Sequence, residues 1–325
     1  MLLLIALGCG GGGGDDGTTG TDACGDSGTC DTGPVATFSS LSAGSSLACG
    51  LDDDGAITCW GHGNYGQDLA PGGGGHTSVS PGAYHACATD SAGVVDCWGL
   101  DNGEAGQGDY GQVTDAPAAE GFQQVASGCY HACALDDTGA IWCWGNDDDG
   151  GWSTPPDGDG HSGLSAGWGH SCALDTAGEV VCWGVSDGGG NDHGQATDIP
   201  AGPFVAVAAG GLHSCALTST GGIQCWGIQD GSSFDYGQVT DTPTAEGFIA
   251  VAAGGFHNCG HSCALDADGG IVCWGRDNLG QVSGAPADSG HVAIATGGDF
   301  SCALSAEGHV RCWGGDAVGQ VSDAP

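Results

Sequence analysis

Lysine is absent from this 325-residue sequence and arginine occurs only at Arg276 and Arg311, against 40 Asp and Glu, for a formal net charge of -38. Such a polyanion repels a phosphate backbone and lacks the cationic side chains on which nucleic-acid affinity rests, so no nucleic-acid partner is expected. Long apolar runs are missing too: Met1–Gly8 is apolar for eight residues, far too few to span a bilayer. No Ser/His/Asp set, Cys/His dyad or phosphate-cradling loop can be argued, which speaks against an enzyme. Glycine and cysteine are what the chain has in excess, at 69 and 19 residues. Nineteen thiols would scramble or bind metal in a reducing cytosol, so their number points to an oxidising compartment. The glycine content alone would suggest disorder, but 10 Trp and a regular cysteine spacing argue for packed structure.

The apolar start ends in Ala6-Leu7-Gly8-Cys9, which resembles the bacterial lipobox. That resemblance implies a signal peptide over 1–8 and lipidation of Cys9, hence a protein held at the bacterial cell envelope or surface by a lipid alone, or otherwise secreted. Ala6 stands where the lipobox usually has Leu, and no basic residue precedes the apolar run. Residues 9–35 are Gly, Asp and Thr with almost no apolar side chain, the composition of a flexible tether. Cys24 and Cys30 lie within it and are candidates for a small disulfide ring.

From residue 36 to 325 one unit repeats seven times. Its signature is a cysteine pair ten positions apart, the second member followed by Trp-Gly: Cys49/Cys59, Cys87/Cys97, Cys133/Cys143, Cys172/Cys182, Cys215/Cys225, Cys263/Cys273 and Cys302/Cys312. A glycine follows the first cysteine by six positions in every copy, as at Gly55. A three-residue hairpin loop needs a left-handed residue at its third position, where glycine carries no steric penalty. With Gly55 placed there, counting outwards pairs Asp52 with Ala56, Leu51 with Ile57, Gly50 with Thr58 and Cys49 with Cys59. Seven cross-strand disulfides follow, each closing about ten residues and contributing roughly 2 to 3 kcal/mol in the chain-entropy treatment. Alternation leaves both faces of the hairpin partly apolar, so each unit must stack on neighbours that cover both. Strands are expected at Thr37–Ala43, Ala48–Leu51 and Ala56–Trp60, with a short outer one near Gln67. Seven such units make an all-β, seven-bladed propeller with four-stranded blades.

The residues then resemble the regulator of chromosome condensation repeat. Gly210, His213, Ser214, Ala216, Leu217, Trp226, Gly227, Gly237 and Gln238 fit its pattern within one unit. The paired cysteines are similar to those of secreted bacterial members. The resemblance implies a seven-bladed propeller; eukaryotic members exchange nucleotide on a small nuclear GTPase and bind chromatin, tasks that do not suit a tethered, acidic, exported chain. Another bacterial propeller similar to the family inhibits secreted β-lactamases. Activity does not transfer with fold.

His85, His131, His170, His213 and His261 each precede a cysteine by two positions, but they recur once per blade instead of converging, and read as structural. The Trp of each Cys-Trp-Gly reads as packing between blades. Trp142, Trp152 and Trp168 break the pattern around a loop that lacks the Gly-Gln ending, and form the candidate binding loop. Asp52–Asp54, Asp147–Asp149 and Asp157–Asp159 offer oxygens that calcium could use, yet none completes an EF-hand and solvated turns are the expectation. Cys129 and Cys259 fall outside the pairs. The function expected is a monomeric, non-enzymatic, extracytoplasmic scaffold that binds a protein, or a glycan, through the loops of one face without a cofactor. The alternatives are an inhibitor of a secreted hydrolase and an enzyme with ionisable groups converging in the propeller channel.

Overall fold

The computed structural model describes residues 36–103, 108–147, 151–256 and 260–325. Cys9, Cys24, Cys30, Asp148, Asp149 and Cys259 lie outside the described residues, and so do the segments expected as signal peptide, 1–8, and tether, 9–35.

In the first unit β1 (Ser40–Ala43), β2 (Leu47–Leu51) and β3 (Ile57–Gly61) form an antiparallel sheet in chain order, β1 innermost. The same three-stranded sheet recurs seven times, with no helix among the described residues. Cys49 faces Cys59, Gly50 faces Thr58 and Leu51 faces Ile57, the register read from Gly55. Disulfides join Cys49 to Cys59, Cys87 to Cys97, Cys133 to Cys143, Cys172 to Cys182, Cys215 to Cys225, Cys263 to Cys273 and Cys302 to Cys312, with Cα atoms 4.0 to 4.1 Å apart. Gly55 has φ +73°, and its N–H donates to the Asp52 carbonyl at 3.0 Å. Asp52 Oδ1 accepts the N–H groups of Asp54 and Ala56 at 2.9 and 2.8 Å. The carboxylate therefore caps its own hairpin, as Asp90, Asp136, Asp175 and Asp266 cap theirs.

No fourth strand forms among the described residues. The segment around Gln67 is a turn in which the Gln side chain folds back on its own backbone, Oε1 accepting the Tyr65 N–H at 2.9 Å. Gln112 and Gln238 close the same turn at both ends of the carboxamide, each Oε1 taking the N–H two residues earlier and each Nε2 donating to the carbonyl four residues earlier. Backbone groups of the turn are thereby satisfied locally. The Gln carbonyl then accepts the indole N–H of the next blade's Cys-Trp-Gly, as Gln112 does from Trp144 at 2.9 Å and Gln195 from Trp226 at 2.9 Å. This is why Gly-Gln and Cys-Trp-Gly occur together: one blade's turn is the other's acceptor.

The missing strand also corrects the expectation that the whole hairpin is covered on both faces. The third strand of each sheet is its outer edge, so the two sulfurs of a bridge have different surroundings. Cys49, Cys87, Cys133, Cys172, Cys215, Cys263 and Cys302, on the middle strands, are completely buried. Their partners Cys59, Cys97, Cys143, Cys182, Cys225, Cys273 and Cys312, on the edge strands, are only half-buried. Each staple therefore runs from the core to the rim of its blade.

The middle strands are buried on both faces because a blade lies against each; Leu47–Leu51 is buried throughout. Cys133, Leu135 and Ile141 of blade 3 pack against Leu164, Ala173 and Trp183 of blade 4. Blade 7 meets blade 1 in the same way, Phe300 and Cys302 against Ala48 and Trp60, and Phe38 N–H donates to Gly308 O at 2.9 Å. The inner end of each blade carries one glycine, and a Cβ on any of Gly44, Gly82, Gly128, Gly167, Gly210, Gly254 or Gly297 would fall within 3.0 Å of the next one's carbonyl oxygen. The last of these carbonyls is that of Gly44, so seven glycines form a closed ring. Closure at seven is set by backbone touching backbone, a distance only glycine permits.

Candidate interaction face around the channel mouth

The inner strands surround a central cavity of about 490 Å³. Its lining is aliphatic and hydroxyl-bearing, including Ser42, Thr77, Ser80, Ser165 and Ala208, with no acid, base or imidazole among the lining residues. At the mouth the glycine ring narrows the opening, joined by Cys129, Trp168 and Phe256.

The repeat histidines are not at this surface. His85, His131, His170, His213 and His261 are completely buried. Desolvation holds His85, His170 and His213 down to about 3 and His131 and His261 to about 4, so all five are neutral. Four of them reach across to the serine after the next blade's histidine, or, from blade 6, after Phe300: His131 to Ser171, His170 to Ser214, His213 to Ser262 and His261 to Ser301, with Nε2 to Oγ distances of 2.7 to 2.8 Å. Ser214 donates its own proton to the Gln195 carbonyl, so His170 Nε2–H is the donor in that pair. Leu47 and Phe300 replace histidine where the facing residue is Ala86 or Ala48. His85 faces Ala132, and neither ring nitrogen has a partner among the described residues.

Two of the three Trp of the candidate loop, Trp152 and Trp168, come together, and Trp142 stands apart. Trp152 is 2% exposed and lies beside His131, at 5.8 Å between ring centroids. It lies in the blade whose outer turn has no Gly-Gln; the indole nitrogen of Trp183 in the next blade finds no acceptor among the described residues, and neither does that of Trp60. Trp168 packs on Trp152 at 5.5 Å and reaches the mouth. Trp142 is 53% exposed, near the hairpin end of blade 3, with Nε1 on Asp136 Oδ2 at 3.1 Å. The acidic loop at Asp52 is a hairpin cap, and no group of three His, Cys, Asp or Glu stands ready for a metal among the described residues.

What the mouth does carry is a run of tyrosines. Tyr84 stacks on Tyr130 with centroids 5.1 Å apart and planes 8° apart. Tyr65 meets Tyr84 edge-on at 5.6 Å, Tyr110 meets Tyr130 at 5.3 Å, and Phe256 approaches Tyr84 at 6.5 Å. Tyr65 is 42% exposed and Tyr84, Tyr110 and Tyr130 are half-buried, so the rings form a continuous, accessible ridge over blades 1 to 3. Four of the five tyrosines of the chain are in it. Sequence reasoning passed over them; the signal was available, because they occupy the otherwise variable positions of Gly-x-x-His and of the segment before Gly-Gln.

Residues 38–67, 122–150, 204–238, 248–281 and 292–320 match the Regulator of chromosome condensation (RCC1) repeat. Five of the seven blades match this repeat, which supports an RCC1-repeat propeller. Among solved structures, it is similar to the CRINKLY WD40 ectodomain of the Arabidopsis thaliana receptor kinase ACR4, with 24% identity and TM-score 0.65 over 86% of this chain and 97% of that one. The ectodomain of the Physcomitrella patens receptor kinase CR4 matches at 22% identity and TM-score 0.66, covering 86% and 74%. Prp20p of Saccharomyces cerevisiae, whose structure was described with its binding to Gsp1p and histones, matches at 20% and 0.61, covering 81% of each chain. No curated protein matches in sequence. Each matched stretch contains the ring glycine and the Cys-Trp-Gly of its blade.

Proposed function

We propose that this RCC1-repeat propeller is a non-enzymatic, extracytoplasmic interaction scaffold, lipid-anchored at Cys9, raised on the segment 9–35, and binding a protein with the face around its channel mouth. The tyrosine ridge carries this reading. Rings that serve only to pack would be buried, whereas these touch one another and stay accessible, the state of aromatic anchors at protein interfaces. Seven disulfides fit an oxidising compartment. The cavity lining of Ser, Thr, Ala and Val supports a binding role over a channel enzyme. The net charge of -38 supports a partner other than nucleic acid.

The test is cross-linking in the native extracytoplasmic fraction with the intact chain and with a Tyr65→Ser/Tyr110→Ser variant. A defined protein trapped stoichiometrically by the first and lost by the second is expected. The same yield from both variants would move the binding surface elsewhere. Mass spectrometry of the mature N-terminus tests the anchor separately: a diacylglyceryl group on Cys9 is expected, and an unmodified mature chain that starts elsewhere would refute it.

A further inference from the structure

The charge and the rings together say what kind of partner the ridge takes. On the same face the chain already contains one filled example of the recognition. Arg276 sits over the Tyr236 ring, 5.3 Å from its centroid, and its guanidinium pairs with Asp299 at 3.1 Å. Tyr236 stands two residues before Gln238, and Arg276 follows Trp274-Gly275 of the next blade. Tyr65 and Tyr110 hold the same place before Gln67 and Gln112, but the positions corresponding to Arg276 are Leu100 and Asn146. The one other arginine, Arg311, pairs with Asp288, and there is no lysine. Beside Tyr110 a cleft of about 500 Å³ is walled by Asp101, Asp109 and Asp147.

We propose that the tyrosine ridge of blades 1 to 3 binds an arginine-rich protein segment, whose guanidinium groups lie on the rings of Tyr65 and Tyr110, as Arg276 does on Tyr236, and at Tyr110 pair with the carboxylates that wall its cleft. An aromatic face attracts a cation through its quadrupole, and a planar guanidinium stacks where an ammonium does not. Carboxylates alone would hold any cation on this surface; the rings make arginine the preferred one. This inference rests on the mouth being the binding face, and it adds the chemistry of the partner.

The probe is the peptide acetyl-(Gly-Arg)4-amide, titrated by calorimetry into the intact chain at about 0.15 M salt, where the Debye length of roughly 8 Å suppresses diffuse attraction. Tyr65→Leu/Tyr110→Leu keeps the charge and the apolar bulk but removes the rings. It is expected to weaken the peptide roughly fivefold to thirtyfold, while Tyr65→Phe/Tyr110→Phe keeps the affinity, and the lysine peptide binds more weakly than the arginine one. Ile249→Ser, on the exposed bulge at the opposite end of blade 6, leaves binding unchanged. Thermal melting checks that each variant folds; Tyr65, 42% exposed, is the safer single site if the pair does not. Equal affinity in the leucine variant, or no binding by the intact chain, overturns the proposal. A cross-linked partner that still depends on Tyr65 and Tyr110 in that case leaves the scaffold reading standing and rejects only its cationic chemistry. Peptide binding that needs the rings, with no envelope partner trapped, does the reverse.

Discussion

The bond from histidine to the next blade's serine can be tested in both directions, because one of the five repeat histidines, His85, lacks it. His213 Nε2 lies 2.7 Å from Ser262 Oγ, and both residues are wholly buried. Ser262→Ala removes the partner without changing the backbone, leaving a buried imidazole nitrogen with nothing to bond. That costs about 1 to 3 kcal/mol, the desolvation penalty of an orphaned polar group. Ala132→Ser does the opposite and supplies His85 with the hydroxyl it lacks. Space for the oxygen is expected there, because at Ser171, Ser214, Ser262 and Ser301 Oγ fits between the imidazole and a cysteine sulfur 3.7 to 3.9 Å away. The gain should be about 1 kcal/mol. In a domain of this size each kcal/mol moves Tm by roughly 2 °C, so calorimetry at pH 7 should place Ser262→Ala about 2 to 6 °C below the parent and Ala132→Ser about 2 °C above it. If Ser262→Ala melts with the parent, or Ala132→Ser melts below it, the histidines are held by packing alone and the bond between blades contributes nothing.

Acid should unfold the protein through the same five histidines. Their folded pKa values are depressed to about 3 to 4 while the unfolded value is near 6.5, so unfolding takes up protons between those limits; stability is full above about pH 6.5 and falls as pH drops, by up to about 7 kcal/mol per pH unit. Denaturant titrations at pH 7.0, 6.0 and 5.0, above the range where most carboxylates titrate, check this, and a flat profile contradicts it. Complete reduction removes seven cross-links worth roughly 2 to 3 kcal/mol each before non-additivity, so the reduced chain should be unfolded at 37 °C by far-UV circular dichroism. A melting curve unchanged by reductant would show the bridges to be dispensable. Gly167→Ala drives a methyl group onto the Gly210 carbonyl within the glycine ring and should cost more than about 3 kcal/mol, read as lost soluble yield or a large drop in Tm, whereas Gly190→Ala, in open space, should be nearly silent.

Hairpin register, the seven bridges and the number of blades were legible in the amino-acid order because each depends on residues within about ten positions of one another. Gly55 needs a left-handed conformation, and once it is placed, Cys49 can meet only Cys59. The outer segment was misread for a related reason. The order of residues shows a glutamine after a glycine, but not that the glutamine turns inward and takes its own backbone as partner, in a turn where a fourth strand was expected. The unequal burial of the two cysteines in each bridge follows from that, and no spacing along the chain announces it. Trp152 was misjudged in the same way: a departure from the pattern marked it, and the structure buries it against His131.

Sequence by itself therefore determined the blade: a glycine-closed hairpin, its disulfide, and seven copies of it. Only the tertiary structure decided the ring and its surface, because the seven glycines, the histidine–serine bonds and the tyrosine ridge all join residues from different blades. Tyr65, Tyr84, Tyr110 and Tyr130 are separated by about 20 to 65 positions and become neighbours only when closure brings the blade ends around one axis. A period written in the chain fixes what each unit is; the contacts between units follow from the geometry of closing the circle.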